Sequence, residues 1–249
     1  MTIDAPKKQD IPALKALWQE AFGDEDAFLD CFFSTAFSPK RCRCVTLSGQ
    51  LVAALYWFDC NWEGKKLAYI YAVATDKAYR GRGLCTALME STHRQLLENG
   101  YTGAALIPGN EGLFALYEKL GYRPFCPMEK VTVDAAGTPV PLKKLSKKEF
   151  CALHKKLLPE NGILQEGGTV DFLTCFTEFY AAGSSIMCLS MEGSTAYFQE
   201  FLGDRLLLPG ILAALKLQKG VVRLPGGKMS AMYYAPEEET PGYLGISLG

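Results

Sequence analysis

The sequence has no charge imbalance, almost no histidine and no long apolar run. Lys plus Arg number 26 and Asp plus Glu 27, a formal net charge of -1. No global basic field therefore exists to hold nucleic acid. No segment approaches the roughly 20 apolar residues a membrane helix needs. The first eight residues are polar and lack the apolar stretch of a signal peptide, so a cytoplasmic location without membrane contact is expected. Only His93 and His154 are available as imidazole ligands. The nine cysteines are scattered, and their one close pair, Cys42 and Cys44, has no further partners at metal-ligand spacing. No metal is expected, and the thiols read as reduced and mostly buried.

What is present is apolar substance: 49% of 249 residues, enough for one large domain or two ordinary ones. In residues 11–22, Ile11, Leu14, Leu17, Trp18 and Phe22 share one helical face, with Pro12 in the first turn. Cys44–Leu47 and Leu51–Asp59 read as strands around a Ser48-Gly49-Gln50 turn, and 61–66 as a second turn. Leu67–Thr75 is a strand rich in aromatic and β-branched residues. A helix runs from after Gly83 to about Asn99, stopped by Gly100. Gly103–Ile107 is a short buried strand. Glu111–Leu120 is a helix with Asn110 as N-cap and Gly121 as its stop, and Lys130–Asp134 is a strand.

The strongest signal is Tyr79-Arg80-Gly81-Arg82-Gly83-Leu84, between a strand and a helix. A helix N-terminus offers unpaired N–H groups and a partial positive charge. Glycines let the backbone approach an anion closely, and Arg80 and Arg82 add charge. Such a loop makes a diphosphate cradle. A dinucleotide fingerprint would need a third glycine where Thr86 stands, and a P-loop would need a Gly-Lys-Ser/Thr ending. Neither is present; the remaining alternative is a plain Arg/Gly surface turn.

The run resembles the acetyl-CoA motif of the GNAT (GCN5-related N-acetyltransferase) superfamily, [RQ]-x-x-G-x-[GA], read here as Arg80-x-x-Gly83-x-Cys85, with Cys in place of Gly or Ala at the end. A second stretch, Asn110 to Tyr122, resembles the GNAT pattern N-x-x-A-x-x-x-Y-x-x-x-G-[FY], with Leu113 in place of Ala. Arg82-Gly83-Leu84 and Ala87-Leu88-Met89 add some likeness to the enhanced-intracellular-survival type of tandem GNAT acetyltransferase. The resemblance implies a GNAT fold of α/β (α+β) class, a mixed central sheet flanked by helices. It implies acetyl-CoA as co-substrate, its pantetheine arm on Val73, Ala74 and Thr75. Its pyrophosphate would lie on Arg80, Gly81, Arg82, Gly83, Leu84 and Cys85, with Asn110 nearby.

Acyl transfer from a thioester to an amine needs a neutral amine, donors for the developing oxyanion and a proton for the leaving thiolate. Tyr117 is the candidate general acid, as the matching tyrosine of the resembled family implies; the alternative is a packed core aromatic. A backbone N–H near Val73 is expected to polarise the carbonyl. The strand 67–75 carries no carboxylate, and Asp59, Glu63 and Glu111 read as solvated turn or cap residues. By the same resemblance the C-terminal carboxylate of Gly249 is one candidate base, a water chain the other. Cys85 as nucleophile is rejected, because His93 lies about 12 Å along the same helix.

The second half repeats the first in weakened form. Asp10–Leu14 aligns with Glu149–Leu153, Gly83–Leu88 with Gly210–Leu215, and 106–109 with 223–226. Strand–helix–strand units that merely look alike are the alternative. With a boundary in 135–148, the expectation is a catalytic GNAT domain over 1–137. A second, degenerate GNAT-like domain over 138–249 would bind no CoA of its own. The function expected is acetyl transfer to an amine on a small molecule or peptide, by direct attack in a ternary complex. A non-catalytic acyl-CoA-binding module of the same fold is the alternative, and a homo-oligomer is left open.

Overall fold

The computed structural model describes residues 1–236 and 239–248. The first half comprises β1 (Thr2–Asp4), α1 (Ile11–Phe22), α2 (Asp26–Thr35), β2 (Cys42–Leu47), β3 (Gln50–Trp62), β4 (Lys65–Thr75), α3 (Leu84–Glu98), β5 (Gly103–Leu106), α4 (Phe114–Lys119) and β6 (Arg123–Asp134). The second comprises β7 (Lys143–Lys144), α5 (Lys147–Leu157), β8 (Leu164–Gln165), α6 (Gly168–Leu173), β9 (Glu178–Ala182), β10 (Ser185–Glu192), β11 (Thr195–Leu202), α7 (Leu208–Ala214), β12 (Lys219–Pro225) and β13 (Lys228–Tyr234). Every strand and helix expected from the pattern is present, but β3 and β4 run through most of 61–66. The turn between them is only Glu63-Gly64, both at positive φ, the geometry of a two-residue hairpin matched to sheet twist. Asn110 makes no side-chain cap; a 3-10 turn over 111–113 precedes α4.

All strands belong to one mixed sheet in the order β1-β2-β3-β4-β5-β13-β6-β12-β11-β10-β9-β7, with β8 paired to β3. Read inward from its two edges, the sheet has the same plan twice. β1-β2-β3-β4 are antiparallel neighbours and the step β4·β5 is parallel. β7-β9-β10-β11 are antiparallel and the step β11·β12 is parallel. The middle of the sheet departs from a simple side-by-side arrangement. β13 pairs with β5, and β6 pairs with β12, so the last strand of each half lies against the other half. β6 and β13 pair with each other at the centre.

Helices cover the faces. α1 buries Leu14, Leu17 and Trp18 against β3 and β4 and ends at Gly23, whose φ of 77° makes the left-handed stop. α3 buries Leu84, Leu88, Met89 and Leu96 in an apolar cluster with Val52, Ile70 and Tyr117. A larger cluster joins Phe32 and Tyr56 of the first half to Phe172 and Leu202 of the second. The cysteine reading needs one correction. Cys31 of α2 and Cys175, just after α6, form a disulfide with Cα atoms 6.4 Å apart. Their neighbourhood is aromatic packing that crosses the two halves: the rings of Phe28 and Phe172 are 5.0 Å apart. The other seven cysteines are free thiols, five of them buried. Among the described residues no helix is long and apolar enough to cross a membrane.

Candidate active site

β4 and β5 pair only from Leu67 to Tyr69 against Gly103 to Ala105. β5 then ends, while β4 continues to Thr75. Across β4, Ala54 faces Ala74 and Tyr56 faces Tyr71, so Ala72 and Val73 together stand opposite Leu55. This is a β-bulge, and Ala72 takes a φ of 48° to make it. A bulge beside the end of a parallel neighbour turns β4 away and opens a cleft. The cleft is a 550 Å³ cavity bordered by Ala72, Val73, Ile107, Pro108, Gly109 and Tyr117.

The Arg/Gly loop lies just beyond the bulged strand. Asp76 caps its 3-10 turn, accepting from the Ala78 amide at 2.8 Å. Gly81 and Gly83 have φ of 73° and 74°, and a Cβ at either would meet no atom within 4 Å. The glycines are thus required by backbone conformation, and they leave open space above the loop. The first intrahelical bond of α3 runs from Ala87 N to Gly83 O at 3.0 Å. The N–H groups of Leu84, Cys85 and Thr86 therefore face outward without helical acceptors. Arg80 Nε donates to Thr75 O and an Arg82 Nη to Ala78 O, both at 3.0 Å. Both arginines remain exposed while bracing the loop. Three free amides, a helix dipole and two guanidinium groups fit a diphosphate.

Of the other expected residues, Val73 lines the cleft, Ala74 is buried and Thr75 anchors Arg80. Leu84 is buried, and Cys85 is half-buried, with burial raising its thiol pKa. That keeps Cys85 protonated and removes it as a nucleophile. Asn110 is exposed on the loop between β5 and α4, outside the cleft lining. Tyr117 lines the cleft, with its ring 5.6 Å from Tyr122 and 6% of its surface exposed. Burial pushes its phenol pKa well up, and it has no hydrogen-bond partner among the described residues. His93 is a core residue: Nε2 lies 2.9 Å from Tyr122 Oη and the ring stacks on Tyr234 at 3.9 Å.

Of the three carboxylates read as solvated turn or cap residues, Glu63 and Glu111 are so placed, and Asp59 alone differs. Asp59 sits on β3 and binds Tyr101 Oη and, at 3.2 Å, Arg41. Glu63 is in the hairpin turn, and Glu111 is exposed, 3.3 Å from Lys228 Nζ. None borders the cleft. Among the described residues that do, Asp24 is the one carboxylate, held by Trp18 Nε1 at 2.7 Å. It lies close enough to Tyr71 to help burial and Tyr69 raise that phenol's pKa. Nothing local in the sequence marks Asp24, because the loop after α1 joins the site only through tertiary packing.

A second cavity of 570 Å³ meets the first. Phe28, Tyr71, Arg223 and Leu248 line both. The C-terminal segment is delivered there by buried polar clamps. Gln165 Nε2 donates to Leu244 O and Ile246 O at 2.8 and 2.7 Å. Tyr243 Oη donates to Glu200 at 2.6 Å, and His154 Nε2 lies 3.1 Å from the same carboxylate. Burial pushes the Tyr69 phenol up to about 12, an effect the Leu248 amide partly offsets. The candidate base Gly249 lies outside the described residues. Among the described residues no three His, Cys, Asp or Glu side chains converge as metal ligands do.

With this geometry in view, comparison with known proteins places the class. Residues 2–125 match the family model of the acetyltransferase (GNAT) domain, and this part of the chain belongs to that family. The fold extends further. The GCN5-related N-acetyltransferase of Anabaena variabilis superposes with a TM-score of 0.74 at 15% identity, over 94% of this chain and 72% of that one. That of Kribbella flavida gives 0.70 at 15% identity, over 94% and 70%. Eis1 of Mycobacterium abscessus gives 0.67 at 9% identity, over 94% and 74%. No curated protein matches the sequence.

Proposed function

We propose that the chain is an N-acetyltransferase that moves an acetyl group from acetyl-CoA to an amine by direct attack in a ternary complex. The observation that supports this most is the bulged, splayed cleft with the Arg80–Cys85 loop beyond the bulged strand and Tyr117 inside it. Val73, Ala74 and Thr75 would hold the pantetheine arm and the loop amides the diphosphate; acetyl-CoA supplies the thioester. Asp24 is placed to take the amine's proton, directly or through water. Tyr117 donates to the leaving thiolate, and its buried phenol stays protonated at any physiological pH. Much of the rate comes from holding the two reactants together where the two cavities meet.

The second half, 138–249, is proposed as a duplicated and degenerate copy of 1–137. The three aligned sequence pairs fall on α1 and α5, α3 and α7, and the ends of β5 and β12. β11 also carries a bulge, at Gln199, as β4 does at Ala72 and Val73. Asp204 caps Leu206 N as Asp76 caps Ala78 N. There the likeness ends: the turn 205–207 runs straight into α7 with no glycine loop.

Tyr117→Phe tests the chemistry. It should keep acetyl-CoA affinity and lower kcat by about 10²–10⁴-fold in a thiol-release assay across an amine panel. Unchanged turnover would make Tyr117 a packing residue, and CoA binding without turnover of any amine would favour the non-catalytic alternative.

A further inference from the structure

The second cavity has a composition that folding alone does not explain. Arg223 of β12 and Lys130 of β6 are direct cross-strand partners, and both line the cavity. Like charges directly opposite on neighbouring strands destabilise a sheet. Arg223 is half-buried, and its desolvation lowers its pKa. Among the described residues neither cation has a carboxylate partner, although Glu192 lies elsewhere on the same lining. A desolvated guanidinium with no carboxylate partner among the described residues favours an anion beside it. Beside the pair, Gln199 stands at the bulge of β11, with Nε2 donating to Ser190 Oγ at 3.3 Å. Its Oε1 is buried with no hydrogen-bond partner. A buried acceptor in that state awaits a donor. The remaining wall is aromatic, with the rings of Phe28 and Phe176 5.5 Å apart and Phe198 nearby.

From this juxtaposition we propose that the cavity binds the acyl acceptor as an apolar α-amino acid. Its carboxylate rests on Arg223 and Lys130, an N–H on Gln199, and its side chain on the Phe28, Phe176 and Phe198 wall. The placement of Arg223 selects the α relation between amine and acid. It lines both cavities, so the anion it holds sits close to the amine that must reach the thioester. Guanidinium pairs with carboxylate through two parallel N–H donors. The inference rests on the acetyl-transfer reading of the neighbouring cleft.

Equilibrium binding to the full chain separates the two. N-acetyl-L-phenylalanine should bind at least about tenfold tighter than N-acetyl-L-phenylalaninamide, the scale of one charge-assisted hydrogen bond. Arg223→Gln should erase that difference, with circular dichroism confirming the fold. Lys130→Gln, at the exposed rim, should narrow it by about threefold and carries the test if Arg223→Gln does not fold. In turnover, phenylalanine should be preferred to phenethylamine. Equal binding of acid and amide, binding of neither, or a preference that survives Arg223→Gln overturns the proposal. A preference for succinyl-CoA over acetyl-CoA that Arg223→Gln removes would put the anion on the donor and overturn it as well. If acetyl-CoA binds and the acid does not, this inference fails while the acetyl-transfer reading stands. If the acid binds and acetyl-CoA does not, the acetyl-transfer reading fails and takes the acceptor role with it, leaving only a carboxylate site at Arg223.

Discussion

At the scale of single residues, burial decides which titratable groups take part in chemistry. Burial lowers the His93 pKa to about 4, so the imidazole is neutral where an unfolded histidine near 6.5 is already charging. Between pH 6.5 and 4 the unfolded chain binds this proton and the native chain does not. Stability contributed here is therefore present above about pH 6.5 and falls on acidification, by up to about 3 kcal/mol. Urea melts at pH 7 and 4.5 should show the loss, and His93→Gln should flatten the difference. An equal pH dependence in the variant would contradict the assignment. Gly81, Gly83 and the two arginines were legible in the sequence because a positive φ next to a helix start demands glycine, and charge beside it has few other uses. Arg223, Tyr71 and Asp24 were not legible, since each becomes a site residue only through contacts between distant segments.

At the scale of elements, the bulge in β4 matters more than any side chain it carries. It is made at Ala72, and alanine is no marker for a bulge, so the strand reads from sequence as regular. The helix α2 went unread in the same way; its Leu29 and Phe32 enter the core, but Phe28 faces the cavity and Cys31 the disulfide. That disulfide closes a segment of 144 residues. In the chain-entropy account such a closure stabilises by about 5 kcal/mol. Reduction should lower Tm by about 15 °C and loosen the ring packing of Phe28 on Phe172. A Cys31→Ser, Cys175→Ser double variant should melt at the reduced temperature and ignore reductant. A wild-type Tm unmoved by reductant would show that the bond adds nothing.

At the scale of the molecule, two halves share one sheet by exchanging their last strands. The sequence pointed to two copies through its repeat, and 228–234 is the last strand of the second. It carried no sign that this strand inserts between β5 and β6, because β-pairing partners are set by topology and not by local pattern. The exchange has a consequence for dissection. A fragment ending at residue 137 would lack β13 and expose the β5 edge that Met232, Tyr233 and Tyr234 now cover. Fragments 1–137 and 138–249 should fail to fold alone and should recover a cooperative melt when co-expressed. A monodisperse, cooperatively melting 1–137 would contradict this reading of the sheet. Both cavities draw on both halves, as Arg223 and Leu248 join Tyr71 in each. The second half is thus expected to shape the acceptor site while binding no CoA.

Calorimetry of the full chain with acetyl-CoA, run on the wild type and on Gly83→Asp, probes the whole scheme at its root. The wild type should bind with a stoichiometry of one. Gly83→Asp forces a side chain into a left-handed backbone position and places a negative charge among the loop amides. It should lose affinity by at least about 100-fold while its circular dichroism stays native. A stoichiometry of two, no binding by the wild type, or a Gly83→Asp chain that binds like the wild type would contradict the cradle and the function drawn from it.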